Sequence, residues 1–380
     1  MIRLIFSLIL ISYVWWIYFL LLTKKEVKYP ENNEAVSIVI PCYNENKKVL
    51  LRCVESIIRA KGEKEIILIN NNSNKEETLK AFEIISVAYP NVKIIEEKRQ
   101  GKRFAHEAGI KKASNNIIVF VDSDTIIDEN ALIEIKKPFF DEKVGGVAGK
   151  VLLYNKNDNL ITKAINAMFW TSSSIFRQAS GNIGFMQVSA GALSAYRKNV
   201  LLKLLPYYLN QKFLGRPVGI SDDRFLTMRT QTLLGLKIVY QDSAVSYTIM
   251  PKTFIGFWKV LERWKRGVLR EVLLFWKEPK SKAKLLFFDT EFNFIIMNIM
   301  LGFKIFLIIS LLLHFSLLNL LFTIAWFLLM GVFYGGYMLV NNPKDFKYKL
   351  LYIIFYEFFW VFTYFNAWIN VRNQGKWVTR

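Results

Sequence analysis

Between residues 36 and 124 the chain alternates short strand-like runs with helical stretches, a pattern that restricts it to a mostly parallel α/β sheet. Val36-Ser37-Ile38-Val39-Ile40 (ended by Pro41), Glu65-Ile66-Ile67-Leu68-Ile69, Val92-Lys93-Ile94-Ile95 and Ile117-Ile118-Val119-Phe120-Val121 are rich in β-branched residues and read as strands. Residues 46–60, 75–88 and about 101–113 read as the helices between them. Parallel neighbours need such crossovers, so a doubly wound sheet is expected. No Gly-x-Gly-x-x-Gly follows the first strand, which argues against a dinucleotide cofactor.

Sheets of this kind bind ligands outside the carboxyl ends of their strands. Four groups fall there: Pro41-Cys42-Tyr43-Asn44-Glu45, Asn70, Lys98-Arg99-Gln100-Gly101-Lys102-Arg103, and Asp122-Ser123-Asp124. Asp122 and Asp124 can hold a divalent cation, and the cation can carry a diphosphate. Taken singly, the acids could be turn or cap residues, and the basic run a solvated helix start. Together they suit a nucleoside diphosphate bound with a metal. Further on, Asp222-Asp223 opens an amphipathic segment, either as a cap or as a base able to take a proton from a hydroxyl. Arg263 can neutralise a leaving diphosphate, and the Trp264 face suits a pyranose ring. Both would also be at home in an interfacial helix.

Hydrophobic residues make up 53% of the 380, and Lys and Arg outnumber Asp and Glu by 51 to 31, a formal charge of +20. Residues 2–22 are almost uninterrupted apolar, with Lys24-Lys25 behind them. They read as a retained spanning anchor that leaves the following domain cytoplasmic. Residues 253–276 are basic, aromatic and amphipathic, with Lys259, Arg263, Lys265, Arg266 and Arg270 expected to face headgroups. Apolar segments follow at about 292–313, 317–340 and 350–370. The positive charge is therefore assigned to an anionic leaflet and a phosphorylated substrate, with no nucleic acid as partner. Lys304 and Glu357, inside apolar segments, are expected to pair. Cys42 and Cys53 have neither bridge-framework nor metal-ligand spacing. With only His106 and His314, a His-rich zinc site and a Ser-His-Asp hydrolase are not indicated.

The chain resembles the membrane-bound family-2 glycosyltransferases, in particular hyaluronan synthases and the nodulation chitooligosaccharide synthase. Val39-Ile40-Pro41-Cys42-Tyr43-Asn44-Glu45, Lys98 to Arg103, Asp122-Ser123-Asp124, Ala190-Gly191-Ala192-Leu193-Ser194-Ala195-Tyr196-Arg197, Asp222-Asp223-Arg224-Phe225-Leu226-Thr227, Arg263-Trp264 and Trp377-Val378-Thr379-Arg380 carry the likeness. It implies a GT-A fold inserted between transmembrane helices with amphipathic interfacial helices, and an inverting transfer from a UDP-sugar with Mg2+ or Mn2+. By position, Asp223, with Asp222 beside it, would supply the general base. Pro41, Tyr43, Glu45, Asn70, Arg99, Lys102, Asp122 and Arg263 would contact the sugar nucleotide. Asp124, with Asp122, would hold the metal, while Trp264 and Gly191 would face the acceptor.

The implied layout is an N-terminal spanning helix over 1–25, a cytoplasmic catalytic domain over 26–252 and interfacial helices over 253–285. About three spanning helices over 286–372 and a tail over 373–380 complete a multi-pass protein of the plasma membrane. Three positions depart from the family pattern: Asn70 stands for Asp, Ser221 for Gly, and Val260 for the Gln of the processive Gln-x-x-Arg-Trp motif. The acceptor, a growing glycan or a lipid-linked saccharide, stays open, as does the oligomeric state.

Overall fold

The computed structural model describes residues 18, 21, 22, 27–276 and 282–375, with backbone alone at 300, 304, 322, 325–334 and 354–359. The expected anchor over 1–25, apart from three residues, and the motif Trp377 to Arg380 lie outside the described residues, as do the side chains of Lys304 and Glu357.

The alternating pattern folds as read. β1 (Val36–Cys42), α1 (Lys47–Arg59), β2 (Lys64–Asn70), α2 (Glu76–Ala88), β3 (Val92–Glu96), α3 (Lys102–Lys112) and β4 (Ile117–Phe120) follow in order. β1 pairs in parallel with both β2 and β4, and β2 with β3. Alternate residues of each strand go to opposite faces. Ile38, Ile40, Leu68 and Val119 pack beneath α1 and α2 with Leu50, Ile57 and Phe82. Val39, Ile67, Ile118 and Phe120 pack on the other face against Ala105 and Ile110 of α3. These side chains are fully buried or nearly so, and each Ile, Leu, Val and Phe among them contributes about 1.5–3 kcal/mol of transfer free energy. β1 runs two residues further than expected, through Pro41 to Cys42. Pro41 lies past the last β1 residue paired with β4, so the missing N–H interrupts no ladder on that flank.

Beyond residue 124 the structure adds strands that the sequence pattern did not show. β5 (Ile126–Ile127), α4 (Ala131–Lys136), β6 (Val144–Leu153), α5 (Leu160–Thr171), a π-helical turn at Ser172–Arg177 and α6 (Gln178–Asn182) lead to β7 (Ser194–Arg197) and α7 (Lys198–Leu209). The hairpin β8 (Lys212–Phe213) and β9 (Arg216–Pro217), α8 (Asp222–Thr232) and β10 (Lys237–Thr248) complete the globular part. The sheet order is β3-β2-β1-β4-β7-β6-β10-β5. β7 runs antiparallel between β4 and β6, so the parallel half gives way to a mixed half.

The helix α9 (Phe254–Phe275) is followed by α10 (Lys284–Leu313), α11 (Leu317–Asn341) and α12 (Pro343–Ile369). Among the described residues one helix, α10, is long and apolar enough to cross a membrane, with mean hydropathy 2.4. Only 12% of its most apolar stretch is buried, unlike a core helix. α9 departs from the expected headgroup helix, because its cations do not share one wet face. Lys265 and Arg270 are 6% and 0% exposed. Lys265 Nζ reaches Thr363 Oγ1 and the Trp360 carbonyl at 3.2 Å, over the Trp360 ring. A buried ammonium needs such partners, and α12 supplies them.

His106 of α3 lies under Phe120, the last residue of β4, with Nδ1 2.8 Å from Tyr208 Oη. Burial, with Lys102 nearby, pushes its pKa well below the ordinary value. The folded protein therefore holds a neutral imidazole, while the unfolded chain takes up a proton below about pH 6.5. Stability is present above that pH and falls by up to ~1.4 kcal/mol per unit beneath it. Between pH 7.5 and 5.5 the unfolding midpoint in detergent should drop more steeply for the wild type than for His106→Phe; parallel drops would refute the neutral buried state.

Candidate active site

The carboxyl ends of β1, β2, β3 and β4 present the residues singled out by sequence on one edge, and hydrogen bonds tie them together. Asn70 ends β2 opposite Glu96 of β3. Its Nδ2 donates to both Glu96 oxygens at 3.0 and 2.9 Å, and its Oδ1 accepts from Ser73 N. Where an Asp was the family expectation, the negative charge at this strand end is thus carried by Glu96. Asn71 accepts from Gly101 N at 2.8 Å and donates to the Arg99 carbonyl at 2.7 Å, which fastens the basic loop to β2. Gly101 has φ 137°, a conformation that L side chains rarely adopt. Ser123 Oγ donates to Glu45 at 3.2 Å, joining the loop after β1 to the loop after β4, near Pro41 and Tyr43.

Lys102 is the hinge of the arrangement. Its ammonium meets the Asp122 carboxylate. Burial alone would lower its pKa, but Asp122, with Asp223 and Asp222 also acting, carries it above the ordinary value. The two acid pairs, about a hundred residues apart in sequence, are therefore electrostatically coupled through one lysine. Gly191 lies against the same pair. A Cβ there would sit 2.9 Å from Lys102 Nζ and 3.1 and 3.2 Å from the Asp122 oxygens. Asp124 Oδ1 has the hydroxyls of Thr125 and Thr248 at 3.4 Å.

Asp222 and Asp223 open α8, where the helix N-terminus favours negative charge. Asp222 is buried, with Oδ1 lacking a hydrogen-bond partner. Burial raises its pKa, against Arg103, Lys102 and Arg270, and Asp223 adds to the rise. It lines a cavity of about 540 Å3 with Lys102, Arg103, Arg216 and Gln374. Asp223 is half-buried. Its Oδ1 accepts from Arg224 N at 2.8 Å, and its charge acts on the buried guanidinium groups of Arg177 and Arg224. Burial lowers both of these, while Asp223 acts to raise them.

The remaining expected residues are placed more loosely. Arg99 bonds Glu97 at 3.0 and 2.7 Å and Glu107 at 3.0 Å, with its guanidinium over Phe104. Trp264 packs in an apolar cluster with Ala190 and Ala192, the neighbours of Gly191, its ring 6.1 Å from that of Phe169. Val260 belongs to the same cluster, which accounts for an apolar residue where the family motif has Gln. Arg263 is half-buried beside Trp264 on α9.

Arg177, delivered by the π-helical turn, and Glu271 lie outside every motif of the sequence, and Arg270 was expected to face headgroups; nothing local marks their long-range partners. The exchange between Asn70 and Glu96 is likewise revealed only by strand pairing.

The donor set bears on metal choice. Asp122 and Asp124 offer hard carboxylate oxygens, and both cysteines are buried. Among the described residues no three His, Cys, Asp or Glu side chains are grouped as a metal cage. Two carboxylates completed by phosphate oxygens and water suit Mg2+ or Mn2+ better than a fully protein-built site.

Comparisons with known proteins bear on the family and the fold. A family model described as glycosyltransferase like family 2 matches residues 33–267, more than half of the chain. An N-acetylglucosaminyltransferase of Bradyrhizobium diazoefficiens is 27% identical over 246 residues, 64% of this chain and 50% of that protein. One of Azorhizobium caulinodans is 28% identical over 257 residues, 67% and 64% of the two chains. A hyaluronan synthase of Streptococcus pyogenes is 30% identical over 276 residues, 71% and 65%. The chain spans between half and about two thirds of the length of these relatives. A mannosyltransferase from Pyrobaculum calidifontis, solved with GDP-Man and Mn2+, shares the fold with TM-score 0.63 at 15% identity. The likeness covers 98% of this chain and 96% of that one.

Gly191→Val should push Lys102 off Asp122. Losing one charge-assisted contact should cost ~1.5–3 kcal/mol of stability. Urea unfolding of the purified variant would show it, and a stability equal to wild type would contradict the placement.

Proposed function

The chain belongs to glycosyltransferase family 2, and from that premise we propose that it is an inverting membrane enzyme that uses a UDP-sugar. It transfers a hexose or N-acetylhexosamine to a glycan hydroxyl and extends a polysaccharide. The observation that carries the reading is that Lys102, ion-paired with Asp122 at the sheet edge, lines one cavity with Asp222.

In the proposed reaction Asp223 takes the proton from the acceptor hydroxyl. The acceptor oxygen forms its bond to the anomeric carbon from the face opposite the diphosphate. The bond from that carbon to the diphosphate oxygen breaks, and UDP leaves with the electron pair, so the anomeric configuration inverts. Asp222, buried and next to it in sequence, stays beside the base. Lys102 and Arg263 offset charge on the departing diphosphate. Asp122 and Asp124 would hold Mg2+ or Mn2+, which when bound would neutralise diphosphate charge. Trp264, beside Ala190 and Ala192, offers its face to the acceptor ring. The unburied apolar surface of α10 supports a bilayer as partner; the multi-pass layout and the cytoplasmic side of the catalytic part rest on the apolar segments and lysine placement of the sequence.

A second reading, single addition to a lipid-linked acceptor, draws support from Val260. A packed apolar residue cannot offer the side-chain hydrogen bonds of a Gln. Product length after incubation with labelled UDP-sugar separates the two: a ladder or smear supports extension, one added sugar supports the alternative.

Asp223→Asn should lower metal-dependent transfer by about 10²–10⁴-fold, the scale of a lost general base, and Asp124→Ala should abolish it by removing a metal ligand, while each protein stays folded in detergent. Chelation with EDTA should stop transfer by the wild type. Full turnover in either variant, measured as UDP released with sugar nucleotide and Mn2+ supplied, would overturn the assignment.

A further inference from the structure

We propose that Arg270 of α9 is a positioning residue for the acid pair, holding Asp222 and Asp223 in place from the helix that also packs on α12. The inference rests on the reading above and names a residue that reading does not use. Arg270 has no exposed surface. Its Nη1 donates to the Ile220 carbonyl at 2.8 Å and to Gln374 Oε1 at 3.2 Å. Its Nη2 donates to the Ser221 carbonyl at 3.4 Å. One guanidinium therefore grips the two residues directly before Asp222, together with the chain just beyond α12.

The grip falls where the backbone needs it. Ser221 is the N-cap of α8, with φ 58° and ψ 43°, and makes no side-chain cap bond. A left-handed serine is held by its surroundings rather than by its own preference. Gly267, one turn before Arg270 on the same helix, makes room for it: a Cβ at Gly267 would sit 1.9 Å from Ser221 Oγ. Glu271 completes the bed. It pairs with Arg270 at 2.6 Å and with Arg229 of α8 at 3.0 Å. Burial would raise the Glu271 pKa, but Arg270 and Arg229 bring it below the ordinary value. α9 thus holds α8 from the residues before it to its last turn, and a small shift of α9 would shift the base.

Arg270→Met is the informative variant. Glu271 keeps Arg229 as a partner, so the substitution leaves no buried carboxylate without a cation. Displacing a catalytic group by about 1 Å costs on the order of 100-fold. With the full-length protein in detergent, kcat with UDP-N-acetylglucosamine and Mn2+ should fall about that much. The variant should stay folded with a lowered melting temperature, because buried carbonyls lose their donor, while UDP affinity stays near wild type, and the kcat of Arg270→Lys, which keeps the charge but loses the fork, should fall between. Gly267→Ala should show the same loss of kcat, and Ser221→Gly added to it should restore activity by removing the clashing hydroxymethyl group. A wild type without sugar-nucleotide turnover would sink the proposed function instead. An active wild type matched by Arg270→Met would overturn the positioning role, as would a parallel collapse of UDP binding and stability in every variant, or a double variant no better than Gly267→Ala.

Discussion

Gathering like charges at one edge of a sheet is unfavourable, and the site exists because cations are buried among the acids. Asp122, Asp222 and Asp223 all act on Lys102, and Arg103 and Arg270 act on Asp222. A carboxylate inside protein is tolerable only when paired or hydrogen-bonded, and removing one partner from such a pair is far costlier than the pair itself is stabilising. The loops after β1 and β4 and the start of α8 are interdependent through these contacts. The strands provide a rigid frame, and the lysine and arginines decide how close the acids come.

The same logic gives the C-terminal helices a role beyond anchoring. α9 was expected to turn its cations to headgroups, yet Lys265 serves α12 and Arg270 serves α8. Its apolar side meets α5 and α12 through Trp264, Phe257 and Tyr352. A helix so used is part of the catalytic scaffold. Sites held on packed helices and strands keep geometry better than sites held on loops, and here α9 holds the two residues that precede the acids.

Legibility varied with the range of the contact. The β1 to β4 half of the sheet was readable because each strand is a dense β-branched run and helical stretches separate one from the next, local patterns that tertiary packing did not override. β6, β7 and β10 were not readable: β6 contains Gly145, Gly146 and Gly149, and β10 is interrupted by the polar run Gln241-Asp242-Ser243. Composition therefore hides their strand character, and their pairing partners lie far away in sequence. Among site residues, Asp122, Lys102 and Gly191 were legible as members of short motifs. The pairing of Asn70 with Glu96, and the delivery of Arg177 by a π-helical turn, depend on register and helix geometry that leave no local trace.

By itself the sequence determined a parallel-start α/β sheet, acids at its carboxyl edge, a basic glycine-containing loop beside them and apolar helices behind, because local periodicity and side-chain chemistry are properties of neighbouring residues. Only the tertiary structure decided which distant charges meet: that Lys102 joins two acid pairs and that Arg270 lies under Ser221 rather than at a membrane surface. Burial sets those choices, and burial belongs to the packed whole rather than to any segment of it.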